Sequence, residues 1–278
     1  MQPKYPIYIP SKGRHESRLT AKALEKINVP YFIVVEPSQY DNYASVIDNS
    51  KILVLPKDDM KLIGSRNWIL EHSRARGDKR HWQFDDNILC FYRLNLNRRL
   101  PVGDGTIFRV MEEFVDRYKN IVIAGPNYMT FAVPSSERLP PFLLNTRVYS
   151  MSLVRNDIKY NWRSIYNDDT DICLNVLKDG DCTVLFNAFL GDKNATMTTK
   201  GGNTEELYLI EDGRLKMAQA LADLHPDVCR VSTKFNRPQH HVDYSRFMKH
   251  NKLILEDGVV LPQGVDNFGM VLKRVKNA

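Results

Sequence analysis

Apolar and polar positions along the first half of the chain alternate between two periods. Residues 5–10 (YPIYIP) form a short apolar run that predicts a buried strand, and it ends at the polar turn Ser11-Lys12-Gly13-Arg14. Residues 17–27 then repeat at helical spacing through Leu19, Ala23, Leu24 and Ile27. A second strand is predicted at 31–35, stopped by Glu36-Pro37, then a short helix at 40–47 and a third strand at 51–55 closed by Pro56. Residues 64–76 read as a helix, and 81–84 (HWQF) as a strand running straight into Asp85-Asp86-Asn87.

This β-α-β-α rhythm predicts an α/β fold, a Rossmann-like and mostly parallel sheet flanked by helices. Right-handed crossovers then bring the strand C-terminal ends to one edge, where ligands of open α/β sheets bind. The second half is less regular. An amphipathic helix is predicted at 106–118, strands at 121–124, 148–154 and 183–189, and helices at 169–178 and 213–224. A proline-rich loop spans 133–141, and a basic, histidine-bearing segment spans 230–250. With no internal repeat and no linker-like tract, residues 1–278 are expected to form one domain. Its irregular C-terminal half begins near residue 126.

Composition narrows the class. With 43% hydrophobic and 26% charged residues the chain can bury a core without disulfides or a structural metal. Cys90, Cys173, Cys182 and Cys229 form no C-x-x-C pair, so reduced thiols and a cytoplasmic setting are expected. No run has the length of a membrane span or a signal peptide. The net charge of +6 suits a polyanionic partner such as nucleic acid or a nucleotide phosphate.

Four constellations carry possible chemistry. Asp85-Asp86 at a strand end repel each other unless a cation offsets them, and hard divalent ions that bridge to phosphates favour such oxygens; an acidic turn is the plainer alternative. Asn167-Asp168-Asp169-Thr170-Asp171 opens a helix with more carboxylates than one cap requires. One carboxylate there is free to act as a general base while another caps. Ser11-Lys12-Gly13-Arg14 and Gly64-Ser65-Arg66-Asn67 each place glycine and cations where a helix N-terminus could hold an anion, although neither is a Walker loop. His240-His241 suggests a metal ligand or a phosphate contact, and Lys200-Gly201-Gly202 a bare turn that a ligand can approach closely.

Taken in order, these segments resemble the GT-A class of nucleotide-sugar glycosyltransferases. More narrowly they resemble the TET-associated glycosyltransferases of bacteriophages, through 9–14, Gln83-Phe84-Asp85-Asp86-Asn87 and Lys200-Gly201-Gly202. The resemblance implies a nucleotide-sugar-binding half at about 1–125 and an acceptor-binding half at about 126–278. It implies Mn²⁺ or Mg²⁺ as cofactor and a UDP-sugar, with glucose or arabinose, as donor. The implied acceptor is the hydroxymethyl group of 5-hydroxymethylcytosine in phage DNA. Pro10, Ser11, Arg14, Glu36, Gly64, Arg66, Asn67, Asp85 and Asp86 are expected to bind the donor. Asp85, Asp86, His240 and His241 are expected to hold the metal. Asp169, helped by Asp168, would be the base, and Lys200, Gly201 and Gly202 would touch the acceptor. Two positions depart from the class pattern: Asn87 ends the acidic turn in place of Asp, and Asp168-Asp169 stands in place of Glu-Asp.

For contact with DNA the sequence offers Arg93, Arg98, Arg99, Arg138, Arg155, Lys159 and Arg163 to phosphates, and Tyr128, Phe131 and Trp162 to a base. The rival readings are a transferase acting on a glycan or small molecule, a catalytically silent DNA-binding module and a nucleotidyltransferase.

Overall fold

The computed structural model describes residues 1–132, 139–194, 212–234 and 236–261. The chain begins with β1 (Ile7–Pro10), α1 (Leu19–Lys26), β2 (Phe32–Val35), α2 (Tyr40–Ala44), β3 (Ile52–Val54), α3 (Lys61–Ala75) and β4 (Arg80–Phe84). It continues with β5 (Ile88–Asn95), β6 (Arg98–Pro101), α4 (Thr106–Val115), β7 (Ile121–Tyr128), β8 (Phe142–Leu144) and β9 (Met151–Arg155). Last come α5 (Asp168–Lys178), β10 (Cys182–Lys193), α6 (Gly213–Leu224), β11 (Cys229–Lys234), β12 (Arg237–Val242) and α7 (Ser245–His250).

The main sheet runs β3-β2-β1-β4-β9-β7-β10-β5-β6, with β8 beside β10. Pairing is parallel from β3 through β4 and between β7 and β10. The one antiparallel strand between those blocks is β9, paired to β4 and β7. The fold is therefore a mixed α/β sheet, mostly parallel at its centre and flanked by helices. The expected parting near residue 125 falls inside β7, and strands from the two sides of that point interleave, β9 beside β4 and β10 beside β5, so the two halves share one sheet.

Strand alternation assigns the two faces. Ile7, Ile9, Trp82 and Phe84 join Leu24 of α1 and Phe108 and Met111 of α4 in one core. On the opposite face Leu70 of α3 and Ile172, Cys173 and Val176 of α5 pack with Val122 and Val154. Tyr8 and Val34 meet Ile69 of α3 in a smaller cluster on that face. At Gly125 a side chain would have its Cβ 2.1 Å from the Met151 carbonyl oxygen, so only glycine permits the β7–β9 approach.

An expected boundary moves, and two segments with no assigned element gain one. α3 begins at Lys61, three residues before the expected start at Gly64. Residues 88–101 form a hairpin whose tight turn holds Leu96 and Asn97 at positive φ (50° and 62°), the backbone of a two-residue hairpin turn. The 230–250 segment is a hairpin, β11–β12, followed by α7.

Candidate active site

Parallel strands deliver β1, β2 and β4 to a single rim, where Ser11, Glu36, Asp85 and Asp86 follow their last residues. Antiparallel β9 starts at the same rim, because Met151 pairs with Phe84, and this puts Ser150 beside Asp85. Arg66, projecting from α3 and almost wholly buried, forms the centre of the cluster. Its guanidinium lies 3.1 Å from Asp85, 2.8 Å from Asp168 and 3.5 Å from Asp169. Carboxylates 85 and 168–169, distant in sequence, thus converge on one cation.

Each carboxylate has a distinct environment. Burial pushes Asp85 upward, but Lys193 and Arg66 outweigh it, with hydrogen bonds from Lys193 (2.8 Å) and Ser150 (2.6 Å), and hold it at about 2. Burial and then the neighbouring Asp168 charge push Asp169 up to about 7, against the pull of Arg66. Asp169 accepts the Ser150 backbone N–H at 3.3 Å. Asp168 is raised by burial, with Arg66 opposing and Asp85 adding. A carboxylate poised near 7 beside firmly ionised Asp85 is the separation that general acid–base chemistry uses.

The expected division, one aspartate capping while the other reaches the site, is blurred: both Asp168 and Asp169 turn to Arg66, and Asp168 is also met by the backbone N–H groups of residues 168 and 169. Asp171 is the structural member of the trio, clamped by His225 at 2.8 Å and Arg163 at 2.9 Å.

Asp86 faces a neighbouring niche. The Arg14 backbone N–H donates to the Tyr43 hydroxyl, Tyr43 to Ser11, and Ser11 to Asp86 at 2.7 Å. The Arg14 guanidinium closes the chain by pairing with Asp86. Burial still raises the Asp86 carboxyl, against Arg14 and Ser11. Glu36, buried nearby, pairs with the half-exposed ammonium of Lys12 at 2.8 Å, and Pro10 ends β1 beside it. The structure therefore gathers Pro10, Ser11, Arg14, Glu36, Arg66, Asp85, Asp86, Asp168 and Asp169 along one rim.

Gly64 and Asn67 stand apart from this group. Because α3 starts earlier than expected, the Gly64 N–H is spent on the Met60 carbonyl and offers no anion site. The Asn67 amide is consumed by Trp162, donating to its carbonyl at 2.8 Å and accepting its N–H at 2.9 Å. Trp162 is buried in the core and presents no stacking surface. Arg155 and Lys159 pair with Asp157 and Asp179 on the surface, and Arg163 is spent on buried Asp171. Arg138, Lys200, Gly201 and Gly202 lie outside the described residues.

The four expected metal ligands are not assembled. Both oxygens of Asp85 and both of Asp86 are engaged by protein donors. His240 instead accepts from Arg147 at 3.1 Å, and burial followed by that cation lowers it to about 4, leaving it neutral. His240 and His241 line a cavity of about 660 Å³ that neither Asp85 nor Asp86 lines. Among the described residues no three His, Cys, Asp or Glu side chains are arranged to hold a metal ion. The donor set does not fit the expected centre.

That cavity is chemically distinctive. Arg147, Arg214 and Lys234 give it positive charge, His240 and His241 add imidazoles, and Phe131, Tyr149 and Tyr244 supply rings. Tyr149 stacks on Tyr128 at 5.0 Å, and Arg147 lies over Tyr149 at 4.6 Å. The cavity also touches the carboxylate cluster through Tyr149, next to Ser150, and Asn167, next to Asp168.

Several site residues escaped the sequence reading. Lys193 ends β10, far along the chain from any acidic motif. Ser150 was hidden because nothing local marks it as functional, and Tyr128, expected to stack on a base, instead meets Lys193 and Ser150. Behind Arg66 lies a buried relay in which Gln83 accepts from the Arg66 guanidinium at 3.3 Å and donates to His81 at 2.9 Å. Burial lowers His81 to about 4, so it stays neutral and orients Gln83. The alternation in HWQF was the available signal, since His81 and Gln83 share one face of β4.

Comparison with known proteins follows from this geometry. The crystal structure of A197 from STIV superposes with a TM-score of 0.40 at 11% identity, covering 69% of this chain and 85% of that one. Apo UDP-glucose pyrophosphorylase gives 0.38 at 9% identity, covering 68% and 92%. Likenesses this distant carry no functional weight. No curated protein matches the sequence. The model of the TET-associated glycosyltransferase family matches residues 5–202, a span that contains Asp85, Asp86, Asp168, Asp169 and Lys193. The chain belongs to the TET-associated glycosyltransferase family and is a glycosyltransferase.

Proposed function

We propose that this enzyme moves a sugar, glucose or arabinose, from its UDP conjugate to the hydroxymethyl group of 5-hydroxymethylcytosine in phage DNA, on a GT-A-like scaffold. One arrangement carries the reading: Asp169, pushed up to about 7 by burial, lies beside Arg66 on the rim and accepts from Ser150, whose neighbour Tyr149 lines a basic, aromatic cavity. The rim side suits the donor. Pro10, Ser11, Arg14 and Glu36 would receive the nucleoside end, and Arg14 its phosphates. The cavity side suits the acceptor, since a base can stack on Phe131 or Tyr149 while Arg147 and Arg214 take flanking phosphates.

In the proposed step ionised Asp169 accepts the proton of the hydroxymethyl group. The alcohol oxygen forms a bond to the sugar's anomeric carbon as the bond to the UDP oxygen breaks, and UDP leaves with that electron pair. Attack from the face opposite UDP inverts the anomeric centre. Arg66 holds Asp85, Asp168 and Asp169 in register and keeps their mutual repulsion from unfolding the rim.

The test is to incubate the protein with hydroxymethylated DNA and a panel of UDP-sugars, with Mn²⁺ and with EDTA, then weigh the digested nucleosides. A hexosyl or pentosyl mass increment on hydroxymethylcytosine is expected. UDP release that needs no DNA and leaves nucleosides unaltered would instead indicate a glycan or small-molecule acceptor. Release of pyrophosphate would indicate nucleotidyl transfer.

A further inference from the structure

We infer that Lys193, not a divalent metal, is the cation that meets the donor's diphosphate in this enzyme; the inference rests on the nucleotide-sugar reading above. Lys193 ends β10 where the pairing with β5 slips between Asp192 and Lys193. Gly191, two residues earlier, packs closely on Met151, since a Cβ there would fall 2.4 Å from its thioether. The ammonium lies among oxygens, 2.8 Å from Asp85, 2.7 Å from the Ser150 hydroxyl and 3.4 Å from the Tyr128 hydroxyl. It also sits 5.6 Å over the Tyr128 ring. A positive centre ringed by a carboxylate and hydroxyls is the place a hard divalent ion would otherwise take.

The charge pattern points the same way. Asp85, Asp86, Asp168 and Asp169 are met by Arg14, Arg66 and Lys193, so protein cations already offset most of the acidity. A divalent ion would have to displace Lys193 from Asp85 and then face Arg66 close by, which Coulomb repulsion opposes. Of the three hydrogens on the ammonium, two are held at short range and the third points to Tyr128 at the longest distance. A phosphate oxygen is a stronger, charged acceptor than a phenol and would replace that third contact. About a fifth of the Lys193 side chain is solvent-exposed, which gives the phosphate access. As the sugar–phosphate bond breaks, negative charge grows on the departing UDP, and a fixed ammonium neutralises it as a metal would in other transferases.

The probe is UDP, titrated calorimetrically into wild-type protein, Lys193→Met and Lys193→Arg, each in EDTA and in millimolar Mn²⁺. Circular dichroism and thermal melting verify folding. The wild type should bind UDP in EDTA within about twofold of its Mn²⁺ affinity, and Lys193→Met should lose about tenfold or more, one charge-assisted hydrogen bond's worth. Lys193→Arg should retain most of the affinity, which a purely structural role for the lysine would not predict. With UDP-sugar and acceptor DNA, Lys193→Met should lower kcat more than it raises KM, because the charge on the leaving group is greatest in the transition state. Wild-type binding that appears only with Mn²⁺ overturns this inference and leaves the nucleotide-sugar reading standing, and the wild-type titration needs no variant to fold. Absence of UDP binding in every condition overturns both.

Discussion

At the scale of single residues, the environment of Asp169 makes the sharpest claims. Arg66 and Lys193 draw its carboxyl down, whereas burial, Asp168 and Asp85 push it up, and the balance rests at about 7. A base must be ionised to act, so kcat should rise with pH through about 7 and level off above it; a rate falling over that interval would reject the assignment. Asp169→Asn should cost about a hundredfold or more in kcat while UDP affinity is preserved. The same shift has a stability consequence of definite sign. An aspartate that titrates near 4 unfolded and near 7 folded binds its proton more tightly in the native state, so folding stability falls as pH rises between those values. Asp169→Asn removes that penalty. Its Tm should match the wild type near pH 4 and exceed it by a few degrees at pH 8, read by differential scanning calorimetry.

At the scale of elements, the site depends on how closely β7, β9 and β10 approach one another. Gly125→Ala would set a methyl group against the Met151 carbonyl, where the contact is with backbone and no side chain can swing away. A loss of about 1–3 kcal/mol is expected, a fall in Tm of several degrees, together with reduced kcat because Ser150 and Asp85 shift with Met151. Asn67→Ala would cut both bonds to Trp162 and loosen α3 against the loop before α5, on which Arg66 and Asp168 depend. It should cost about 1–2 kcal/mol in chemical denaturation, with no large change in UDP affinity. These elements also show what the sequence made legible. The first four strands and their helices were readable because buried parallel strands are short apolar runs broken by Pro, Gly and acidic turns. Asp85-Asp86 and Asp168-Asp169 stood out because adjacent carboxylates at element ends are costly without a purpose. The β5–β6 hairpin was obscured by its half-exposed pattern and by Leu96, a residue that does not advertise a turn. Lys193 could not be found locally, since its role arises from β10 lying beside β7 in space and from Ser150 entering beside Asp85 on an antiparallel strand. The contact of His240 with Arg147 was not legible because it depends on where β12 docks, a tertiary fact.

At the scale of the whole molecule, the net charge of +6 is distributed unevenly in function, and that distribution can be measured. The cavity beside the carboxylate cluster carries Arg147, Arg214 and Lys234, with no acidic side chain among the described residues that line it. A second cavity of about 730 Å³ combines Lys4, Arg74, Lys79, Arg80, Lys119 and Arg155 with Asp78, Asp116, Asp157 and Glu256. Its cations are partly neutralised in place, as by the Lys4–Asp116 and Arg80–Asp116 pairs. If DNA is the acceptor, phosphate contacts should concentrate at the first cavity and not the second. Binding to hydroxymethylated duplex should weaken as salt rises, and removing one phosphate contact should flatten the logarithmic salt slope by about one. Arg214→Ala, at an exposed position on α6, should show that change, and Lys79→Ala at the second cavity should leave the slope as in the wild type. Fluorescence anisotropy across a salt series reads both variants in one experiment. Equal slopes for wild type and Arg214→Ala, or a flattened slope for Lys79→Ala, would move the acceptor away from the carboxylates. Asp169 would then face no alcohol to deprotonate, so the salt series tests the chemistry as well as the binding.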